Sequence, residues 1–152
     1  MSVPVTTAHS IATAAALVVM SPERADELGL RPLGEIVSYG QVAGPDTSLL
    51  NQPSHAIRQA LQRAGLKVGS VDLFEINEAF AAVSAASIDD LGIDLNIINV
   101  NGGAIALGHP IGMSGARLAL TMLYELSRRG GGVGAVGLCG GGGQGDAAVL
   151  RV

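Results

Sequence analysis

Three side chains with useful chemistry stand where strands end or helices open, the places where α/β folds build sites: Asn77 in "EINEAF", His109 in "GGAIALGHPIGMSG" and Cys139 in "GLCGGGGQG". An imidazole exchanges a proton near neutral pH, a thiol does so at higher pH, and a carboxamide can hold a water or a developing oxyanion. Each also has a plainer reading. Asn77 stands where a helix N-cap belongs, with Glu78 in the first turn; a lone cysteine in a glycine-rich strand is commonly an inert small hydrophobe; a lone histidine is commonly structural. His109 departs furthest from the plain reading. Glycines at 102, 103, 108, 112 and 115 remove side chains that would shield it and let a substrate approach the backbone closely. Pro110 stiffens the next step. The helix expected just beyond presents a positive N-terminal end, which disfavours imidazolium and keeps the ring neutral, able to accept a proton or polarise a carbonyl. Ser114 is the expected N-cap of that helix.

Other chemistries fit less well. Gly140, Gly142 and Gly145 formally satisfy G-x-G-x-x-G, but a terminal strand follows them and the anion-cradling helix end is missing. "GAIALGHP" has the glycine spacing of a Walker loop without its Lys and Ser/Thr, which argues against nucleotide hydrolysis. His9, His55, His109 and Cys139 form no pair with ligand spacing such as C-x-x-C, so no metal site is expected. The net charge is −4 and the arginines are scattered, with Lys67 the only lysine, so nothing argues for a nucleic-acid partner. Cys139 is the only cysteine, which excludes an internal disulfide and fits a reduced, cytoplasmic setting. The longest apolar stretch, Ile11 to Met20, is too short to cross a bilayer and has no Lys or Arg ahead of it, so no membrane partner is expected.

The elements that must position these groups follow from periodicity. At 152 residues and 48% hydrophobic content the chain can bury one sizeable core. From Arg31 onward strand-like and helix-like runs alternate, the pattern of an α/β fold. "LGEIVSYGQVAG" alternates as a strand. "PSHAIRQALQRAG" places Ile57, Ala60, Leu61 and Ala64 on one helical face and closes at Gly65. "VDLFEI" is a second strand, followed by a helix to about Gly92, and "LNIINV" reads as a third. A helix from Ser114 to Arg129 carries a wide apolar arc. "GVGAVGLCG" and "GDAAVLRV" close the chain as an antiparallel pair, because so short a connection holds no crossover. The first thirty residues sit outside the alternation: "TAAALVVM" looks like a buried strand, and "SPERADELG" like a short helix capped by Ser21.

Taken together, "NEAFA" at 77–81, "NVNGGAIALGHPIGMSGAR" at 99–117 and "CGGGGQG" at 139–145 resemble the three C-terminal signature segments of the thiolases. The likeness runs from about Leu30 to the end, and more loosely back through "TAHSIATAAALVVMS". It implies an α/β, thiolase-like domain with a mixed sheet of about five strands and helices on both faces. Residues 30–152 would be the C-terminal thiolase domain, and residues 1–29 the trailing strand and helix of an N-terminal one. It further implies acyl transfer between coenzyme A thioesters by reversible Claisen condensation or thiolysis of a 3-ketoacyl-CoA, as in fatty acid metabolism, with no permanently bound cofactor. His109 would activate a nucleophilic cysteine and help hold the thioester oxygen. Asn77 would position a water in that oxyanion hole, Cys139 would move the α-proton of the second acyl-CoA, and the Gly141 N–H would serve a second oxyanion hole. Ser10 aligns with a serine that contacts coenzyme A, although the Asp-Gly turn expected beside it is lost.

Departures from the family pattern matter as much. A thiolase uses two cysteines, and Cys139 matches only the acid/base. The resemblance therefore implies a partner, either an N-terminal thiolase half that brings the nucleophile or a homo-oligomer, and an isolated chain that is inactive. Gly140 stands where a larger apolar residue is frequent, and Val83 where glutamine is common. The alternative is a non-catalytic interaction module derived from a thiolase, or a truncated remnant.

Overall fold

The computed structural model describes Ala8 and residues 13–152. Their elements run α1 (Pro22–Glu27), β1 (Glu35–Ala43), α2 (Gln52–Ala64), β2 (Leu73–Ile76), α3 (Ala81–Leu91), α4 (Ala104–Leu107), α5 (Ser114–Arg128), β3 (Val133–Gly140) and β4 (Gln144–Arg151). One sheet takes the strands in the order β1-β4-β3-β2. The β2–β3 pair is parallel, and β4 runs antiparallel to both its neighbours. The expected terminal hairpin forms, and the parallel pair is separated by the crossover such a pair needs.

Strand alternation divides the interior in two. Phe74, Ala135, Ala147 and Val149 point to one face and pack with Ile57 and Ala60 of α2. Leu73, Val136 and Leu150 point to the other and pack with Leu118, Met122 and Leu126 of α5. Helices thus cover both faces, as an α/β fold requires. The seat of α2 is close: Ser38 donates to the Ala60 carbonyl at 2.7 Å, and a Cβ at Gly40 would run into the Ala56 carbonyl. Gly65 ends this helix in the left-handed region at φ 67°, the conformation its sequence position predicted.

Two expectations fail. "LNIINV" is not a strand, so the sheet has four strands where five were expected: Leu95–Ile97 form a 3-10 turn, and only Ile98 touches the sheet, by a single parallel bridge to Phe74. The cause is local, because the Asp94 carboxylate accepts from the Asn96 N–H at 2.8 Å and draws the backbone into a turn in place of a ladder. Within "TAAALVVM" residues 13–20 form no strand, and Val18 and Val19 are exposed; an apolar run acquires strand structure only beside a partner edge. The next expectation holds. Ser21 accepts from the Arg24 N–H at 3.3 Å and caps α1, with Pro22 in its first turn. Among the described residues no helix is long and apolar enough to cross a membrane.

Candidate active site

The site begins where β2 and β3 end side by side. Ile76 stands opposite Gly137 in the parallel register, and the Asn77 N–H extends the ladder by donating to the Gly137 carbonyl at 2.9 Å. Asn77 is fully buried. It does not cap α3, contrary to the plainer sequence reading: that helix starts at Ala81 with extended Phe80 before it and no side-chain cap. A cap stands directly before its helix, but α3 begins four residues after Asn77, whose N–H is spent on the sheet. Cys139 lies on β3 two residues past Gly137, beyond the last β2–β3 pair, and is paired with Gly145 of β4.

His109 reaches this end of the sheet from the loop between α4 and α5. Asn77 Nδ2 stands 3.3 Å from its Nε2 and 3.5 Å from its Nδ1. On the other side of the ring, Nδ1 is 2.6 Å from Ser114 Oγ. The Ser114 hydroxyl donates to the Pro110 carbonyl at 3.0 Å, so its oxygen receives the Nδ1 proton. With the hydroxyl given to Pro110, Nδ1 carries the proton and Nε2 is left unprotonated, while the Asn77 amide nitrogen, nearly equidistant from the two ring nitrogens, lies against the ring and not along the Nε2 lone pair. Ser114 is therefore not the N-cap expected from sequence. It is the first residue of α5, Met113 occupies the cap, and the Ser114 oxygen faces the ring while its hydroxyl turns to Pro110.

Burial holds the half-buried His109 below the usual imidazole range, and the positive charge of Arg117 adds to it. Burial and a guanidinium thus favour the neutral ring, where the sequence reading looked to the helix end. Arg117 itself is tied to Glu75 at 3.0 Å. Glu75 is buried on β2; burial pushes its carboxyl up to about 7, against the opposing pull of Arg117. Sequence reading passed over this pair because its members lie 42 residues apart and neither falls in a recognisable spacing.

Cys139 is half-buried, and burial raises its thiol above the ordinary range, so it is protonated at neutral pH, further from its thiolate than a free cysteine. Its sulfur makes no hydrogen bond to Asn77 or His109 among the described residues; the thiol and the amide share a sheet end without direct contact. Gly141 is the exposed first residue of the β3–β4 turn. The turn is closed by Gly143 N–H to the Gly140 carbonyl at 3.1 Å and Gly142 N–H to Gln144 Oε1 at 2.8 Å, neither of which uses the Gly141 N–H. Gly143, at φ 82°, takes the left-handed position. Ser10 lies outside the described residues. Among the described residues no three His, Cys, Asp or Glu side chains gather as metal ligands would.

An α/β domain with a mixed sheet and polar groups collected at the carboxyl ends of parallel strands belongs to the class that builds its sites at strand ends. Residues 30–152 match the family model described as thiolase, C-terminal domain. The chain is 59% identical over 138 residues to the "Probable acetyl-CoA acetyltransferase" of Mycobacterium tuberculosis, covering 91% of this chain and 35% of that protein. It is 51% identical over 139 residues to "Acetyl-CoA acetyltransferase, cytosolic" of Mus musculus, with the same coverage. Its fold superposes on the Bacillus anthracis acetyl-CoA acetyltransferase with a TM-score of 0.83 at 42% identity, over 87% of this chain and 34% of that one. Human mitochondrial 3-ketoacyl-CoA thiolase gives 0.83 at 41%, over 86% and 33%. The chain belongs to the thiolase family, and it spans about a third of the length of these relatives.

Proposed function

We propose that this chain is the C-terminal half of a thiolase that transfers acyl groups between coenzyme A thioesters, acting with an N-terminal half that supplies the nucleophilic cysteine. The observation that carries the reading is the chain of contacts from Asn77 through His109 to Ser114, built at the strand end that also bears Cys139. In the thiolysis direction His109 Nε2 takes the proton of the incoming cysteine as its sulfur attacks the 3-keto carbon. Cleavage of the carbon–carbon bond leaves an acyl-cysteine and an enolate, and the Cys139 thiol protonates that enolate. Coenzyme A then gives its S–H proton to the Cys139 thiolate and its sulfur attacks the acyl carbon; the bond to the nucleophilic cysteine breaks, and the departing thiolate recovers its proton from His109 Nε2.

The energetics support this division of labour. An α-carbon beside a thioester is a very weak acid, so an enolate needs preorganised donors as well as an acid/base. His109 and a water held by Asn77 would form one oxyanion hole; the buried Asn77 Oδ1 has no protein partner, and an unpaired buried acceptor is the kind of group that binds such a water. The exposed Gly141 N–H would serve the second. Phe80, Leu107 and Ile111, close in sequence to Asn77 and His109, are exposed, as they would be on a surface that an N-terminal half covers. Among the described residues all four strands lie from Glu35 onward, and the family match begins at residue 30, which supports assigning residues 1–29 to the tail of the N-terminal domain. A cytoplasmic setting belongs to the same proposal, in keeping with the name of the mouse relative.

Co-expression with an N-terminal thiolase segment carrying its cysteine, followed by thiolysis of acetoacetyl-CoA, tests the reading. A co-purifying complex with activity that neither part has alone is expected. A stable monomer with no affinity for acyl-CoA and no reconstituted rate would favour the non-catalytic module, which the presence of Cys139 as the only cysteine motivates.

A further inference from the structure

Glu78 follows Asn77 and precedes α3, in the link that leaves the sheet. It is half-buried, and both its carboxylate oxygens are engaged. Oε1 accepts from Asn99 Nδ2 at 3.3 Å, and Oε2 accepts from the Ile105 N–H in α4 at 2.9 Å. Its two partners belong to different parts of the site. Asn99 is fastened to β2: its Oδ1 accepts from the Ile76 N–H and its Nδ2 donates to the Ile76 carbonyl, each at 2.9 Å, while its own N–H donates to the Phe74 carbonyl at 2.9 Å. One side chain thereby supplies the strand-like pairing that a longer third strand would have given. Asn99 does so at φ 46°, the left-handed region that asparagine tolerates better than other side chains, and the chain turns away at once into the glycine loop.

Ile105 stands at the other end of that loop, four residues before His109. Gly103 lies directly on the carboxylate, and a Cβ there would overlap the Glu78 side chain. Glu78 thus bridges a point fixed to β2, next to Asn77, and a point fixed to the His109 loop. No other side-chain hydrogen bond among the described residues joins Ile76–Glu78 to residues 102–108.

We propose that Glu78 is a positioning residue: its carboxylate holds the loop of residues 102–108 against the end of β2 and so sets the separation between the Asn77 amide and the His109 ring. The consequence for catalysis rests on the function proposed above, but the positioning does not, and the two can be tested apart. Glu78→Gln retains size and presents an NH2 group to one of two donors, so one bond must be lost. Gly103→Ala perturbs the same contact from the loop side. In the full 152-residue chain, NMR of the wild type should show nuclear Overhauser contacts between the Asn77 side-chain amide and the His109 ring. Both variants should remain folded by circular dichroism, lose those contacts and shift the His109 ring resonances. Glu78→Asp, which restores a carboxylate, should recover part of the wild-type pattern. In the reconstituted enzyme the same two variants should lower kcat by roughly 10²-fold, the scale of a misplacement of about 1 Å, with KM for coenzyme A nearly unchanged. Unaltered His109 resonances and Asn77 contacts in both variants would overturn the proposal. Altered resonances without any reconstituted activity in the wild type would uphold the positioning and count against the thiolase reading alone.

Discussion

The Asn77 amide nitrogen stands 3.3 Å from Nε2 and 3.5 Å from Nδ1 of His109, across 32 residues of chain, although one side chain is delivered by a strand and the other by a glycine loop. A neutral amide in that place leaves the ring neutral. Because burial and Arg117 lower its pKa, His109 should titrate with a midpoint below 6.5 by NMR. Asn77→Asp places a carboxylate against the ring and should raise the midpoint by about one pH unit or more. An unchanged midpoint would mean that the two side chains do not meet in solution.

Ser114 decides which ring nitrogen carries the proton. Its hydroxyl is spent on the Pro110 carbonyl and its oxygen receives Nδ1–H. Nitrogen-15 shifts of the wild-type imidazole should therefore report the Nδ1–H tautomer at pH 8. Ser114→Ala should give a mixture of tautomers, with little loss of helix α5, since the serine is not its cap. A single unchanged tautomer in the variant would contradict this role.

Glu75 links pH to stability. Its carboxyl in the folded chain lies at about 7, above the value of 4.5 for an unperturbed glutamate. The folded state therefore binds the proton more tightly than the unfolded chain does. Its contribution to stability is fully present below pH 4.5 and is lost as the pH rises to about 7. Urea denaturation of the wild type and of Glu75→Gln should show the difference between them moving in favour of the variant across that window, by about 3 kcal/mol. A difference independent of pH would refute the account of this pair.

Cys139 should behave as a guarded thiol. Burial raises its pKa, so alkylation by iodoacetamide at pH 7.5 should be several-fold slower than that of a free cysteine. The rate should still be climbing above pH 9. A rapid reaction at neutral pH would mean that the thiolate is stabilised, and would assign the residue a nucleophilic role in place of the acid/base one.

Much of the frame was legible before any coordinates. Helix α2 was readable because its apolar spacing and Gly65 act over one short stretch, and the terminal hairpin because four residues cannot hold a crossover. Asn77 was singled out by its place at a strand end and His109 by its glycine-lined setting, and the structure brings them together. What could not be read depends on partners remote in sequence. A side-chain turn at Asp94 displaced the third strand, Ser114 turned from the backbone to a ring, and Glu75 found Arg117 across the interior. Apolar periodicity carries no information about such polar pairings, because they arise only once the sheet has set the distances.

The most direct test of the central claim is the rate of acetoacetyl-CoA thiolysis by the reconstituted complex with His109→Ala in place of the wild-type chain. If His109 is the base at the end of this sheet, kcat should fall by about 10³-fold or more while the complex still assembles and binds coenzyme A. A variant complex that turns over at the wild-type rate would contradict the account.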